Sequence, residues 1–277
     1  MQMTGIELPA FAAWLRAGEK SEATIEKYLR EAARFAAWLE GGTLDKAAAR
    51  AYKDRLDGTR APSGVNGAVA ALNCLFDFMG RPECRLKAVK VQRKIFRDEA
   101  RELTQSEYRR LLAAAGERRN ERLLLVMEAI CATGIRVSEL RFFTVEAVRA
   151  GRAEVTNKGK TRTVFLPGKL QRVLLKYAKR RRISSGPVFV TRTGRPLDRS
   201  NIWHDMKALC GQAGVEAGKV FPHNLRHLFA RTFYGMEKDI VRLADVLGHA
   251  DVNTTRIYTM ESGETHRRQL EKMRLVI

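Results

Sequence analysis

The stretch that most constrains this chain is residues 221–260, FPHNLRHLFARTFYGMEKDIVRLADVLGHADVNTTRIYTM. Pro222 suits a first helical turn, and Leu225, Leu228, Phe229 and Thr232 then fall at i, i+3, i+4 and i+7. That spacing predicts an amphipathic helix with this stripe turned toward a core. His223, Arg226 and Ala230 share another face, so an imidazole and a guanidinium can converge on one ligand. Gly248-His249 and Tyr258 complete the run. A helix that buries one face and presents His and Arg from another needs a folded domain around it.

The chain has 277 residues, enough for two domains with separate cores. Its hydrophobic fraction of 45% and charged fraction of 30% are those of a soluble globular protein. A formal net charge of +20 predicts a polyanionic partner, with DNA or RNA ahead of an acidic membrane face. Charge alone leaves a nuclease, a recombinase and a chromatin-type binder open. Cys74, Cys84, Cys131 and Cys210 form no C-x-x-C pair, which argues against a zinc site or disulfide framework and for reduced thiols in a cytosol. His204 and His266 have no His or Cys partner at ligand spacing, so neither metal nor cofactor is expected. The sequence shows no signal-peptide pattern and no apolar run of membrane-spanning length, and the expected location is the cytoplasm, at the nucleoid.

Residues 1–84 read as helices. Ser21 is placed to cap a helix over 22–40, with Glu22 in its first turn and Ile25, Tyr28, Leu29, Ala32 and Phe35 at helical spacing. Further helices are predicted over 44–56 and 64–79. Residues 85–101, RLKAVKVQRKIFRDEAR, read as a basic linker in which Lys87, Lys90, Arg93, Lys94 and Arg97 are candidate contacts to a phosphate backbone. Thr104 and Glu107 form a capping-box pair at the start of a second domain, residues 102–277. Helices over 105–115 and 118–132 precede Thr133-Gly134. The run AEVT–NKGK–TRTVFLP then reads as a β-hairpin. Helices over 168–181 and 199–212 enclose a short predicted strand, PVFV. The expected fold is mainly α in two domains: an N-terminal helical bundle, and an α-rich domain with a small antiparallel sheet.

HNLRH followed by LGHADVNTTRIYT resembles the C-terminal signature of the tyrosine recombinases, or phage-integrase family. ATGIRVSEL at 132–140 resembles that family's upstream arginine box, and the likeness runs from about Leu103 to Thr259. It implies a DNA breaking-rejoining fold in the second domain. It also implies a SAM-like core-binding bundle in the first, acting as half of a clamp on DNA. Arg136 and Arg226 would hold the non-bridging oxygens of a phosphodiester, a task that suits the permanently charged planar guanidinium. Tyr258 would be the nucleophile, and its phenol, with an ordinary pKa of about 10, needs cations or a base to attack. His223 is the implied base and His249 a contact to the scissile phosphate. Lys158, on the hairpin turn, is the implied acid for the leaving 5′-oxygen, with Lys160 as the alternative. Glu139 would orient Arg136 from behind, and His227 reads as structural, pointing away from Arg226.

Such chemistry leaves a 3′-phosphotyrosyl bond that conserves the energy of the phosphodiester, so resealing needs no ATP. The implied partners are double-stranded DNA with inverted-repeat core sites and a homo-tetramer on that DNA. An accessory DNA-bending or directionality protein is a further implied partner. The C-terminal segment ESGETHRRQLEKMRLVI would link neighbouring subunits. The expected role is integration or excision of a mobile element. A Xer-like dimer resolvase, a topoisomerase-like enzyme and a catalytically silent DNA-binding protein are the alternatives.

Overall fold

The structure, a computed structural model, describes residues 7–91, 99–157, 159–191, 193–260 and 263–273. The chain divides into two compact units, residues 1–93 and 94–277.

The first unit is built on α1 (Leu8–Ala17), α2 (Glu22–Leu39), α3 (Lys46–Asp57) and α4 (Pro62–Phe78). Their apolar stripes meet in a core containing Phe11, Leu15, Ile25, Phe35, Leu72 and Phe76. The ring of Phe35 packs edge-on against Tyr52 at 5.1 Å and Phe76 at 5.7 Å. α2 starts where Ser21 predicts, but the Ser21 hydroxyl pairs with the Thr24 hydroxyl at 2.9 Å and caps no backbone N–H. α3 starts two residues later than predicted because Asp45 accepts from the Ala48 N–H at 2.7 Å, leaving the buried Leu44 ahead of the cap. Arg34 and Arg60 both hold the buried carboxylate of Glu31, at 2.8 and 2.9 Å.

Residues 85–91 are not a free linker. Asn73 accepts from the Leu86 N–H at 2.7 Å and donates to the Leu86 carbonyl at 3.0 Å; Asn66 does the same for Val89 at 2.7 and 3.0 Å. Seven residues of helix rise about 10.5 Å and three of extended chain about 10 Å, so two asparagines two turns apart meet two backbone positions three apart. Leu86 is buried beneath this strap, while Lys87 and Lys90 are exposed. Arg93, Lys94 and Arg97 lie outside the described residues.

In the second unit α5 (Gln105–Glu117) opens with the predicted capping box: Glu107 N–H to Thr104 Oγ1 at 3.2 Å, and Thr104 N–H to Glu107 at 2.8 Å. α6 (Glu121–Thr133), capped by Asn120, packs against α5. After a 3-10 turn, Val137–Phe142, come α7 (Val145–Ala150) and a two-stranded antiparallel hairpin, β1 (Arg152–Asn157) and β2 (Lys160–Phe165), in register from Arg152↔Phe165 to Asn157↔Lys160. Ala153, Val155, Val164 and Leu166 turn inward. Next in the chain are α8 (Gly168–Arg180), α9 (Arg199–Ala208), α10 (Cys210–Ala213), α11 (Pro222–Glu237), α12 (Ile240–Leu247) and α13 (Gly263–Met273). The segment PVFV makes only isolated bridges, Thr144↔Pro187 and Val190↔Pro196, and is not a strand of the sheet. Pro187 and Pro196 lack the N–H groups a ladder would need.

Candidate active site

Two glycines place the site. Gly134 ends α6 at φ +65°, and a Cβ there would lie 2.3 Å from the Phe229 ring, so α6 stops against α11 and delivers Arg136 two residues on. Gly248 ends α12 at φ +66° and delivers His249. α11 supplies His223 and Arg226 from its first turns, and a short 3-10 turn, Arg256–Tyr258, supplies the tyrosine.

Arg226 is 1% exposed and is the largest fully buried side chain described. Its guanidinium donates to the Gly134 carbonyl at 2.5 Å, the Leu247 carbonyl at 2.8 Å and His249 Nε2 at 3.0 Å, while its Nε has no partner. Burial and neighbouring Arg136 lower its pKa to about 10, so it stays charged at neutral pH. An arginine can only donate, so His249 Nε2 must accept, and His249 Nδ1–H then donates to the buried Thr255 hydroxyl at 2.8 Å. Burial, with Arg226 and Arg136 behind it, pushes His249 down to about 4, in keeping with this neutral tautomer. In this arrangement His249 offers no Nε2 proton to a phosphate; it orients Arg226.

Tyr258 is 5% exposed, packed with Ala230, Leu243 and Leu247. Its ring lies parallel to His249 at 6.2 Å and edge-on to His227 at 4.9 Å. Burial raises its pKa, and the guanidiniums of Arg226 and Arg136 oppose that rise. His227, expected to be structural and to point away from Arg226, forms a wall beside the Tyr258 ring. Its ring also meets His223 at 4.5 Å, and its buried Nε2 has no partner.

A cleft of about 360 Å³ is lined by Arg136, His223 and Arg226, together with Arg199 and Trp203 of α9. Burial and the charges of Arg226, Arg136 and Arg199 lower the His223 pKa, leaving a neutral imidazole able to take a proton. Arg136 is held from behind by Glu139, as expected: the carboxylate accepts from the Arg136 backbone N–H at 2.8 Å and from its guanidinium at 2.9 Å. Lys158 lies outside the described residues. The hairpin that carries it is described on both sides, with Gly159 at φ +74° and Lys160 exposed.

Reading the sequence alone missed Arg199, Trp203, Thr255 and Arg162. Only Arg162 left a signal: at spacing two it falls on the same face as the inward Val164 of β2 and Leu166 just beyond it. A charge on an inward strand position calls for a buried partner.

Cationic side chains and a histidine line one cleft, and a buried tyrosine packs on His227 and His249 beside Arg226, in an α-rich domain with a small hairpin; such a set suits an enzyme that works on a phosphate. The chain belongs to the phage integrase family, whose profile matches residues 101–264. It is 29% identical to the tyrosine recombinase XerA of Pyrococcus furiosus over 279 aligned positions, covering 97% of this chain and 94% of the relative. It is 32% identical to XerA of Thermococcus kodakarensis over 222 positions, 76% of each chain. Among solved structures, residues 75–356 of lambda integrase, a dimer bound to a COC′ core site, superpose with a TM-score of 0.74 at 17% identity, covering 92% of this chain and 95% of the other. The chain is a tyrosine-type site-specific recombinase of mainly helical fold with a two-stranded antiparallel sheet.

Proposed function

We propose that this recombinase cuts duplex DNA by attack of Tyr258 on a phosphodiester seated in the Arg136–His223–Arg226 cleft. The observation that carries the reading is that one cleft gathers both arginines and a neutral histidine, while Arg226 is fixed by the same His249 that lies against Tyr258. Tyr258 Oη would bond to phosphorus as His223 takes its proton. Arg136 and Arg226 would bind the non-bridging oxygens, with the partnerless Arg226 Nε as one available donor. The P–O5′ bond would break with a proton supplied from the hairpin, by Lys158 or Lys160. A 5′-hydroxyl attacking the 3′-phosphotyrosyl bond returns the proton and reseals the strand.

The natural substrate would be double-stranded DNA with inverted-repeat core sites, bound by four copies. The first unit would grip DNA through exposed bases such as Lys87 and Lys90. α13 leaves Leu270 63% and Met273 55% exposed, which supports a role for the C-terminal segment in joining neighbouring copies. The match to XerA of Pyrococcus furiosus along nearly the whole chain favours a Xer-like role; the mobile-element role is the second reading, in keeping with the shared fold of the Tn1549 transposon integrase.

The test begins with selection of a bound site from a random duplex library, which is then nicked beside the cleavage position. In EDTA, wild type should form a denaturation-resistant adduct and Tyr258→Phe should not. Tight, specific binding without any adduct would point to a DNA-binding protein that does not cleave.

A further inference from the structure

The ion pair behind Arg136 raises a difficulty that the structure itself resolves. An arginine neutralised by a buried carboxylate makes a poor ligand for a phosphate, because its charge is already matched. Glu139 is 1% exposed and ionised: although burial opposes the charge, hydrogen bonds from Arg162 and the Arg136 backbone hold its pKa at about 2. Its carboxylate, however, faces two guanidiniums. Arg162 Nη1 meets one oxygen at 3.0 Å and Nη2 the other at 2.8 Å, a paired fork, while Arg136 places one guanidinium nitrogen on a single oxygen. Each carboxylate oxygen accepts two hydrogen bonds.

We infer that Arg162 is a positioning residue for strand cleavage: by occupying the Glu139 carboxylate through both its terminal nitrogens, it leaves the charge of Arg136 uncancelled and free for DNA phosphate. This rests on the proposed role of Arg136. A second observation ties Arg162 to the rest of the site. Its side chain runs beneath Gly248, where a Cβ would stand 2.5 Å from Arg162 Cδ and 2.9 Å from its Nε. Arg162 therefore links the hairpin, the Arg136 turn and the loop bearing His249. Both terminal nitrogens of Arg162 are taken by Glu139, and the cleft is lined by Arg136, His223 and Arg226 rather than by Arg162, so it is not placed as the main phosphate ligand.

The test is a cycle of variants on the selected, nicked duplex: wild type, R162M, R162K, E139Q, R162M/E139Q and R162K/E139Q. Adduct-formation rate, DNA affinity and thermal melting are measured for each. With Glu139 present, R162M should slow adduct formation about 10- to 100-fold, the range of coupling between residues in one hydrogen-bonded network, with DNA affinity little changed. Removing the carboxylate charge should make Arg162 dispensable, so R162M/E139Q should recover at least about 10-fold over R162M. If R162M does not fold, R162K decides: a clear loss beside Glu139, together with a rate for R162K/E139Q close to that of E139Q alone, supports the inference. R162M or R162K at the wild-type rate, or equal losses in both backgrounds, would overturn it. Failure of wild type to form an adduct would instead overturn the proposed cleavage reaction.

Discussion

At the scale of single residues, Arg136 and Arg226 are each held by protein groups and still line the cleft. Arg226→Met would leave the Gly134 and Leu247 carbonyls and the His249 acceptor without their donor, costing roughly 3–5 kcal/mol of stability as well as cleavage. A melt would show a large drop where Tyr258→Phe shows little. Gly248→Ala should disturb Arg162 and the His249 loop together, because it adds a Cβ at positive φ against a side chain with no room; adduct formation should slow with the fold retained. His249 and His227 both sit near pKa 4, below the ordinary histidine value, through burial and nearby cations. The unfolded chain therefore binds more protons between about pH 6.5 and 4, and stability falls as pH drops through that window. Each histidine should lose up to roughly 2 kcal/mol between pH 7 and 5, less where solvent screens it. Glu139, held near 2, keeps its contribution across that range and loses it only on much stronger acidification. Denaturant midpoints at pH 7 and 5, with His227→Phe as the comparison, would check this. Arg136, His223, Arg226, His249 and Tyr258 could be picked out as candidates because they lie in local, ordered motifs. The burial of Arg226 was not, because the carbonyls that hold it belong to residues 92 positions before it and 21 after it.

At the scale of elements, periodicity and capping chemistry placed most helices to within a few residues. The departures have local causes: Asp45 and Asn120 cap later than the apolar pattern alone suggested, and Pro187, which opens PVFV, and Pro196, its bridge partner, lack N–H groups for a ladder. The strap on α4 was invisible because its hydrogen bonds join side-chain amides to a backbone 13 and 23 residues further on. Replacing Asn73 by Ala should leave the Leu86 N–H and carbonyl unpaired, costing about 1–3 kcal/mol. Limited proteolysis should then cut within residues 85–91 sooner than in wild type. Early cutting there in wild type would contradict the strap.

For the whole molecule, the net charge of +20 predicts DNA binding that weakens steeply with salt. If about six phosphates are neutralised, affinity should fall about 1,000-fold between 50 and 200 mM salt. Deleting residues 266–277 should weaken assembly of several copies on DNA while sparing cleavage of a single site, as seen by native gels beside the adduct assay. The described helices include none long and apolar enough to cross a membrane. The burial of Arg226 also bears on how such a protein can decay. Its guanidinium is the keystone of a core, whatever phosphate it is proposed to bind. A lineage that stopped cutting DNA but kept binding it could lose the Tyr258 hydroxyl or His223 at little structural expense. Arg226 would persist in its descendants as a fossil of the lost reaction.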